Sequence, residues 1–202
     1  MSVQRNEALP KIGVDMFYYA PLTADPVDGP ATYGPSVRIP GLTQVGYNQN
    51  AQSSAFYADN GPYATATQRG DLAAQCGMAD VPPEVRAEWF GDSYENGLLE
   101  EGDLASIDIA IAFRYKKSSN AYRYVWIYKT KATPPDESVN TQGNNVAFQG
   151  GTVNFTASKL VATNKARRVL DDDDKNLPVG VTPEIIAENW FSNPLWVVEV
   201  SG

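Results

Sequence analysis

Apolar and polar residues alternate most cleanly between Ile107 and Tyr115. Ile107, Ile109, Ile111, Phe113 and Tyr115 fall on one side, and Asp108, Ala110, Ala112 and Arg114 on the other. A period of two is that of a strand with one buried face. After a turn over 116–120, Tyr122, Tyr124, Trp126 and Tyr128 alternate with Arg123, Val125, Ile127 and Lys129. The two runs predict a β-hairpin. Both faces of the second run are semi-apolar, which predicts a sheet covered on one side and joined to a partner on the other.

The same reading extends along the chain. Val14 to Leu22 is a predicted strand, and 23–35, with three prolines and two glycines, a loop. Ser36 to Val45 is a second strand interrupted at Pro40-Gly41. The stretch 46–62 contains the amide-rich, uncharged run Tyr47-Asn48-Gln49-Asn50-Ala51-Gln52-Ser53-Ser54, followed by Phe56, Tyr57 and a turn at Asp59-Asn60-Gly61-Pro62. It has no apolar period, so a long loop, with at most a short strand at its end, is expected there. Tyr63 to Met78 predicts one long strand bent at Gly70.

Pro82-Pro83-Glu84 opens a helix with Val85 and Trp89 on one face and Gly91 as its stop. Asn96-Gly97 signals a hairpin turn. Thr133 to Asn145 is an expected loop. Val146 to Val161 is strand-like, with a bend at Gly150-Gly151, and 163–181 is charged and irregular. Thr182-Pro183-Glu184 opens a second helix with Ile186 and Trp190 inward, and Pro194 prevents its continuation. The expected fold is mainly β, a β-sandwich or partly closed barrel with one or two short flanking helices. Residues 1–11 form a flexible arm, 12–194 a single domain and 195–202 a C-terminal tail.

Composition narrows the chemistry. The chain has no histidine, which removes Ser-His-Asp and Cys-His catalysis and histidine-ligated zinc. The lone Cys76 permits no internal disulfide and sits among small residues, as a buried structural cysteine would. A net charge of −8 is not that of a nucleic-acid binder. The N-terminus lacks an apolar signal segment, and no window matches a membrane span, so synthesis in the cytosol and no membrane binding are expected.

The run Asp171-Asp172-Asp173-Asp174-Lys175 lacks the glycine-marked calcium-loop pattern and reads as a solvated loop. Glu84/Glu88 and Glu100-Glu101 could serve a glycosidase but read as surface charge. The ladder Tyr122, Tyr124, Trp126 and Tyr128 could stack sugars or bases, yet a packed sheet face is the favoured reading. Catalytic residues, metal ligands and cofactors are not expected.

Several segments, in order and spacing, carry a resemblance. They are Lys11-Ile12-Gly13 before Phe17-Tyr18-Tyr19-Ala20-Pro21-Leu22, then Phe56-Tyr57-Ala58-Asp59-Asn60-Gly61, and then Gly70-Asp71-Leu72. Val81-Pro82-Pro83-Glu84-Val85, Gly91-Asp92-Ser93-Tyr94-Glu95-Asn96-Gly97, Tyr122-Arg123-Tyr124-Val125-Trp126-Ile127-Tyr128-Lys129 and Ala187-Glu188-Asn189-Trp190-Phe191 follow. Over roughly residues 11–193 the chain is similar to the major tail proteins of siphophages, bacteriophages with long non-contractile tails. The stretch 163–181 and the ending 195–202 depart from that pattern.

The resemblance implies a structural virion protein of the phage tail. It would form stacked, hexameric rings around a lumen that conducts DNA during genome ejection. Its partners would be itself, a tape measure protein, a tail terminator and baseplate or tail-tip proteins. On this reading the subunit-interface candidates are Tyr47, Asn48, Gln49, Asn50, Phe56, Tyr57, Tyr122, Tyr124, Trp126 and Tyr128. Because DNA is a polyanion, the lumen is expected to be acidic, with Asp108, Asp171, Asp172, Asp173 and Asp174 as candidates. The alternatives are a tail-completion or neck protein and a carbohydrate-binding β-sandwich module.

Overall fold

A computed structural model describes residues 4–58, 60–136, 140–141 and 149–198, and within these the side chains of residues 50, 52, 58, 62 and 136 are left aside. The fold is mainly β, as expected. One antiparallel sheet runs in the order β2 (Thr32–Tyr33), β1 (Lys11–Ala24), β8 (Ile109–Lys117), β9 (Tyr122–Asp136), β10 (Gly151–Ser158), β5 (Gly61–Met78) and β4 (Leu42–Ala58). Two short strands lie off this path: β3 (Val37–Ile39) pairs with β1, and β11 (Arg167–Asp171) with β9. The order does not close, so the sheet is not a barrel, but it curls: Tyr47 on β4 packs on Phe113 of β8 with ring centroids 5.9 Å apart.

The alternation in β8 and β9 builds two cores. Ile109, Ile111, Phe113, Val125 and Ile127 face the inside of the curl, with Phe17, Leu72, Cys76, Val153 and Phe155. Helix α1 (Pro83–Phe90) adds Val85, Trp89 and Phe90 to that core. Its signals act as expected, with proline in the first turn and Gly91 at φ 76 receiving the chain as it leaves the helix. The small hairpin β6 (Ser93–Glu95) and β7 (Leu98–Glu100) follows, its turn made by Asn96 and Gly97 at positive φ.

The other face of β8 and β9 is covered by α2 (Pro183–Asn189) and the residues after it. Thr182 caps this helix, its side chain accepting from the Ile185 N–H, and Ile186, Trp190 and Phe191 press on Tyr124, Trp126 and Tyr128. The Trp126 Nε1–H donates to the Trp190 carbonyl at 2.9 Å, and Tyr18 stacks on Phe191 at 4.6 Å. Both faces of the aromatic strand are thus apolar because the chain itself covers both.

Three expectations are corrected. The stretch 46–62 is not a loop: β4 and β5 form one long hairpin, with Asn60 at φ 64 in the turn. Asp59 lies outside the described residues. The stretch 163–181 is not wholly irregular, since β11 within it pairs with β9 from Arg167↔Ile127 to Asp171↔Arg123. The N-terminal segment does not lie free over its described part. Gln4 and Asn6 bond to Asn176 and Lys175, and Lys11 already belongs to β1. The interruption of the second strand at Pro40-Gly41 is observed as the break between β3 and β4, where Gly41 has φ 97. Much of the loop expected over 133–145, residues 146–148 of the strand expected after it, and residues 1–3 and 199–202 lie outside the described residues.

Candidate assembly surface

β10 covers β5 only over Leu72–Met78, pairing Ala157↔Leu72 at one end and Gly151↔Met78 at the other. Beyond Leu72, β4 and β5 continue as a two-stranded ribbon toward residues 58 and 61. At about 3.3 Å per residue its ten or so residue pairs reach roughly 30 Å past the sheet. The paired residues are small or polar up to Phe56 near the tip: Ser53↔Thr67, Ser54↔Ala66, Ala55↔Thr65 and Phe56↔Ala64. Nearly every described side chain on the ribbon is exposed, including Phe56 (65%), Tyr57 (69%) and Tyr63 (76%).

Leu42–Ala58 contains no charged residue, and β4 has no strand partner on its outer edge among the described residues. A hairpin of this kind is at best marginal without something to pack on. Its unpaired edge and exposed aromatics are the usual features of a pairing surface.

The predicted interface residues divide between two places. Phe56 and Tyr57 are exposed near the ribbon tip, and Asn48 is exposed nearer its root. Tyr47 is half-buried, with the Arg167 guanidinium 5.2 Å above its ring. Gln49 is half-buried beside Leu72 in a cleft of about 210 Å³, and Asn50 contributes backbone to β4. Tyr124, Trp126 and Tyr128, by contrast, are buried under α2, and Tyr122 is half-buried with the Arg114 guanidinium 4.2 Å from its ring. The ladder therefore presents no open face to a neighbouring subunit or to a sugar. Tyr63 was not singled out as an interface residue from sequence, although it lies on β5 between the partners of Phe56 and Tyr57.

The aspartate run is also placed differently from the expectation. Asp171 and Asp172 are buried, not solvated. Asp171 sits across from Arg123 in the β11–β9 register and pairs with it through both carboxylate oxygens, while the Lys117 ammonium lies 2.8 Å away. Burial works against ionisation of Asp171, but the bonds from Arg123 and Lys117 outweigh it and hold its pKa below the ordinary value. Asp172 accepts the Tyr122 N–H at 2.9 Å; there burial prevails and raises its pKa. Asp173 binds Lys117 at 2.5 Å, and Asp174 caps the turn at Asn176. These carboxylates fasten β11 and the following loop to the ends of β8 and β9. Asp108 is half-buried with Lys129 at 3.9 Å. Turned inward, Asp171 and Asp172 cannot line a lumen.

A patch lined by no charged residue does exist on the outside of β4, β5 and β10. Asn48, Gln75, Asn154 and Thr156 are exposed there around a shallow depression of about 510 Å³, and Gln75 Nε2 donates to Asn154 Oδ1 at 3.1 Å. Phe155, between the last two, points to the core, and so does Cys76, whose thiol burial pushes up to about 12. Among the described residues, no group of three His, Cys, Asp or Glu side chains is placed to hold a metal ion, and no helix is long and apolar enough to cross a membrane. No family model matches the chain, and no curated protein matches it.

Proposed function

We propose that this protein is a self-assembling structural subunit of a phage tail tube, stacked in rings around a conduit for DNA. The observation that carries the reading is the β4–β5 ribbon: long, uncharged along β4, without a strand partner on its outer edge among the described residues, and studded with exposed aromatics. Such an element gains little as part of a lone subunit and much on meeting another. The sequence resemblance supplies the kind of assembly, and with it the tape measure, terminator and baseplate partners.

The lumen wall in this reading is the outer face of β4, β5 and β10. Its amides and hydroxyls offer phosphates no cation, so passing DNA would release few counterions and gain little affinity. This replaces an acidic lumen by a neutral one.

The test is electron microscopy of the concentrated protein in negative stain, beside a variant in which 52–68 is replaced by Asn-Gly. That replacement keeps the Ala51↔Arg69 pair and a two-residue turn. Rings or tubes are expected from the intact chain and folded monomers from the variant. Absence of any assembly by the intact chain would refute the proposal. Tubes of equal length and rate from the variant would remove the ribbon from it.

A further inference from the structure

On β8 and β9, Arg114, Lys117, Arg123 and Lys129 each lie on an aspartate. Four other cations do not. Arg69, Lys159, Lys165 and Arg167 are all exposed, line one cleft of about 210 Å³, and form no ion pair among the described residues. Gln49 and Asn164 are the neutral polar side chains there, and no acid borders the cleft among the described residues.

Three elements bring these cations together. Arg69 stands on β5 opposite Ala51. Beyond β10 the chain folds back on itself. The Leu160 N–H donates to the Lys165 carbonyl at 3.0 Å, and Asn164, at φ 53, donates its N–H to the Leu160 carbonyl at 2.9 Å. Leu160 is buried and anchors this turn, and Asp25 accepts from the Val161 and Ala162 N–H groups. Lys159 and Lys165 are thereby held on one fixed turn. Arg167 opens β11 opposite Ile127, with its guanidinium 5.2 Å from the Tyr47 ring. The backbone that carries the four cations is set before any ligand arrives, and like charges held together repel unless an anion joins them.

The acid nearest in sequence to Arg69 does not supply that anion. Side chains alternate along a strand, and Leu72 borders the cleft, so Asp71 projects from the opposite face of β5. The same alternation separates the cleft from the depression assigned above to the lumen wall. Gln49↔Leu72 borders the first, and Asn48↔Ala73 the second.

We propose that this cleft binds a small anion carrying a diphosphate group. The two guanidiniums present forked donors that match phosphate oxygens, and the two ammoniums add compact positive charge. Gln49 and Asn164 bring amide donors to the same space. A single carboxylate would leave most of the four charges unmatched. A nucleic-acid duplex would need cations spread along its backbone, whereas these converge on one cleft. The site is independent of the assembly reading above.

The test is isothermal titration calorimetry of the full-length chain at low salt, with sodium pyrophosphate and, separately, with ADP. The single variants Arg69→Gln and Lys165→Gln remove one cleft cation each. Arg38→Gln removes an exposed cation on β3, outside the cleft, and serves as control. The native chain is expected to bind one anion per chain. Each cleft variant should lose at least about tenfold in affinity, and the control none. Equal affinities for the two ligands would make the diphosphate the whole ligand, and tighter binding of ADP would make it a nucleotide. Without ligand, the cleft variants should melt no lower than the native chain, since each removes a repelling charge. Pyrophosphate at one fixed concentration should raise the Tm of the native chain more than theirs.

A native chain that binds neither ligand, cleft variants that bind as tightly as the native chain, or an equal loss in Arg38→Gln would overturn the site. A short DNA duplex bound more tightly than pyrophosphate would overturn the assignment to a small anion.

Discussion

Replacing Asp171 by asparagine should show how much of the fold depends on the buried ion cluster. Asparagine keeps the shape and one acceptor oxygen but removes the charge that Arg123 and Lys117 share. The side chains of Asp171 and Lys117 are only 8% and 5% exposed, so Lys117 would lose half of its compensation in a place water hardly reaches. Breaking a buried pair costs about 3–5 kcal/mol. Two features favour the lower end: Asp173 still holds Lys117 at 2.5 Å, and the Arg123 side chain is 37% exposed.

A loss of about 3 kcal/mol in a chain of this length corresponds to a fall of roughly 6–12 °C in Tm. Thermal unfolding of Asp171→Asn and Asp173→Asn, followed by circular dichroism at pH 7, measures it. The Asp173 change should stay near 1 kcal/mol, because that carboxylate is a third exposed.

The pH dependence has a definite sign. The folded pKa of Asp171 lies below its unfolded value, so its contribution is complete above about pH 4 and is lost as pH falls through the folded value. The gap between native and Asp171→Asn proteins should narrow in acid. A variant within about 1 kcal/mol of the native protein at pH 7, or a gap unchanged into strong acid, would refute the reasoning.

The neighbouring Asp172 should behave oppositely: its folded pKa is raised, so its ionisation opposes folding, and Asp172→Asn should gain stability relative to the native chain as pH rises through that value. Equilibrium unfolding at pH 4 and pH 7 makes the comparison. Trp190→Ala removes the ring that lies on Tyr124 and should cost about 3–5 kcal/mol in urea titration, with increased dye binding to the uncovered face. Gly41→Ala forces a Cβ to 2.8 Å from that of Ala79 at φ 97, and a loss of about 1–3 kcal/mol in the same titration is expected. The Cys76 thiol, fully buried and raised to about 12, should react with iodoacetamide at pH 8 on the order of a thousandfold more slowly than a free thiol, until the protein is unfolded.

What sequence could and could not show follows from what each pattern reports. Proline followed by glutamate, Thr182 as a cap and Asn96-Gly97 are local signals, and the structure places α1, α2 and the β6–β7 turn where they point. The alternation from Ile107 to Tyr115 reports burial, and β8 is buried as it implies. The ribbon gives no such signal, because both of its faces are wet and alternation marks burial rather than extension.

The aspartate run is misleading for a different reason. Its partners Lys117 and Arg123 lie some fifty residues away, and only the pairing of β11 with β9 brings them together. Likewise the aromatic ladder looks like a surface waiting for a partner until α2, sixty residues on, is folded over it.

A long uncharged edge is normally a hazard, since it will pair with any other edge, and most proteins blunt such edges with lysine, proline or a bulge. Seventeen residues of β4 carry no charge, and among the described residues its outer edge has no strand partner. Charges placed on the ribbon would protect the free subunit, but each would have to be stripped of water on docking. Moving them off the ribbon avoids that penalty and leaves a second problem, ribbon-to-ribbon pairing between two free subunits. Arg69, Lys159, Lys165 and Arg167, exposed around one cleft at the root of the ribbon, answer it. Two ribbons brought side by side with their roots together would set Arg69, Lys159 and Lys165 of one copy against the same cations of the other. That like-charge contact disfavours the symmetric pairing that would trap the ribbon as a dimer.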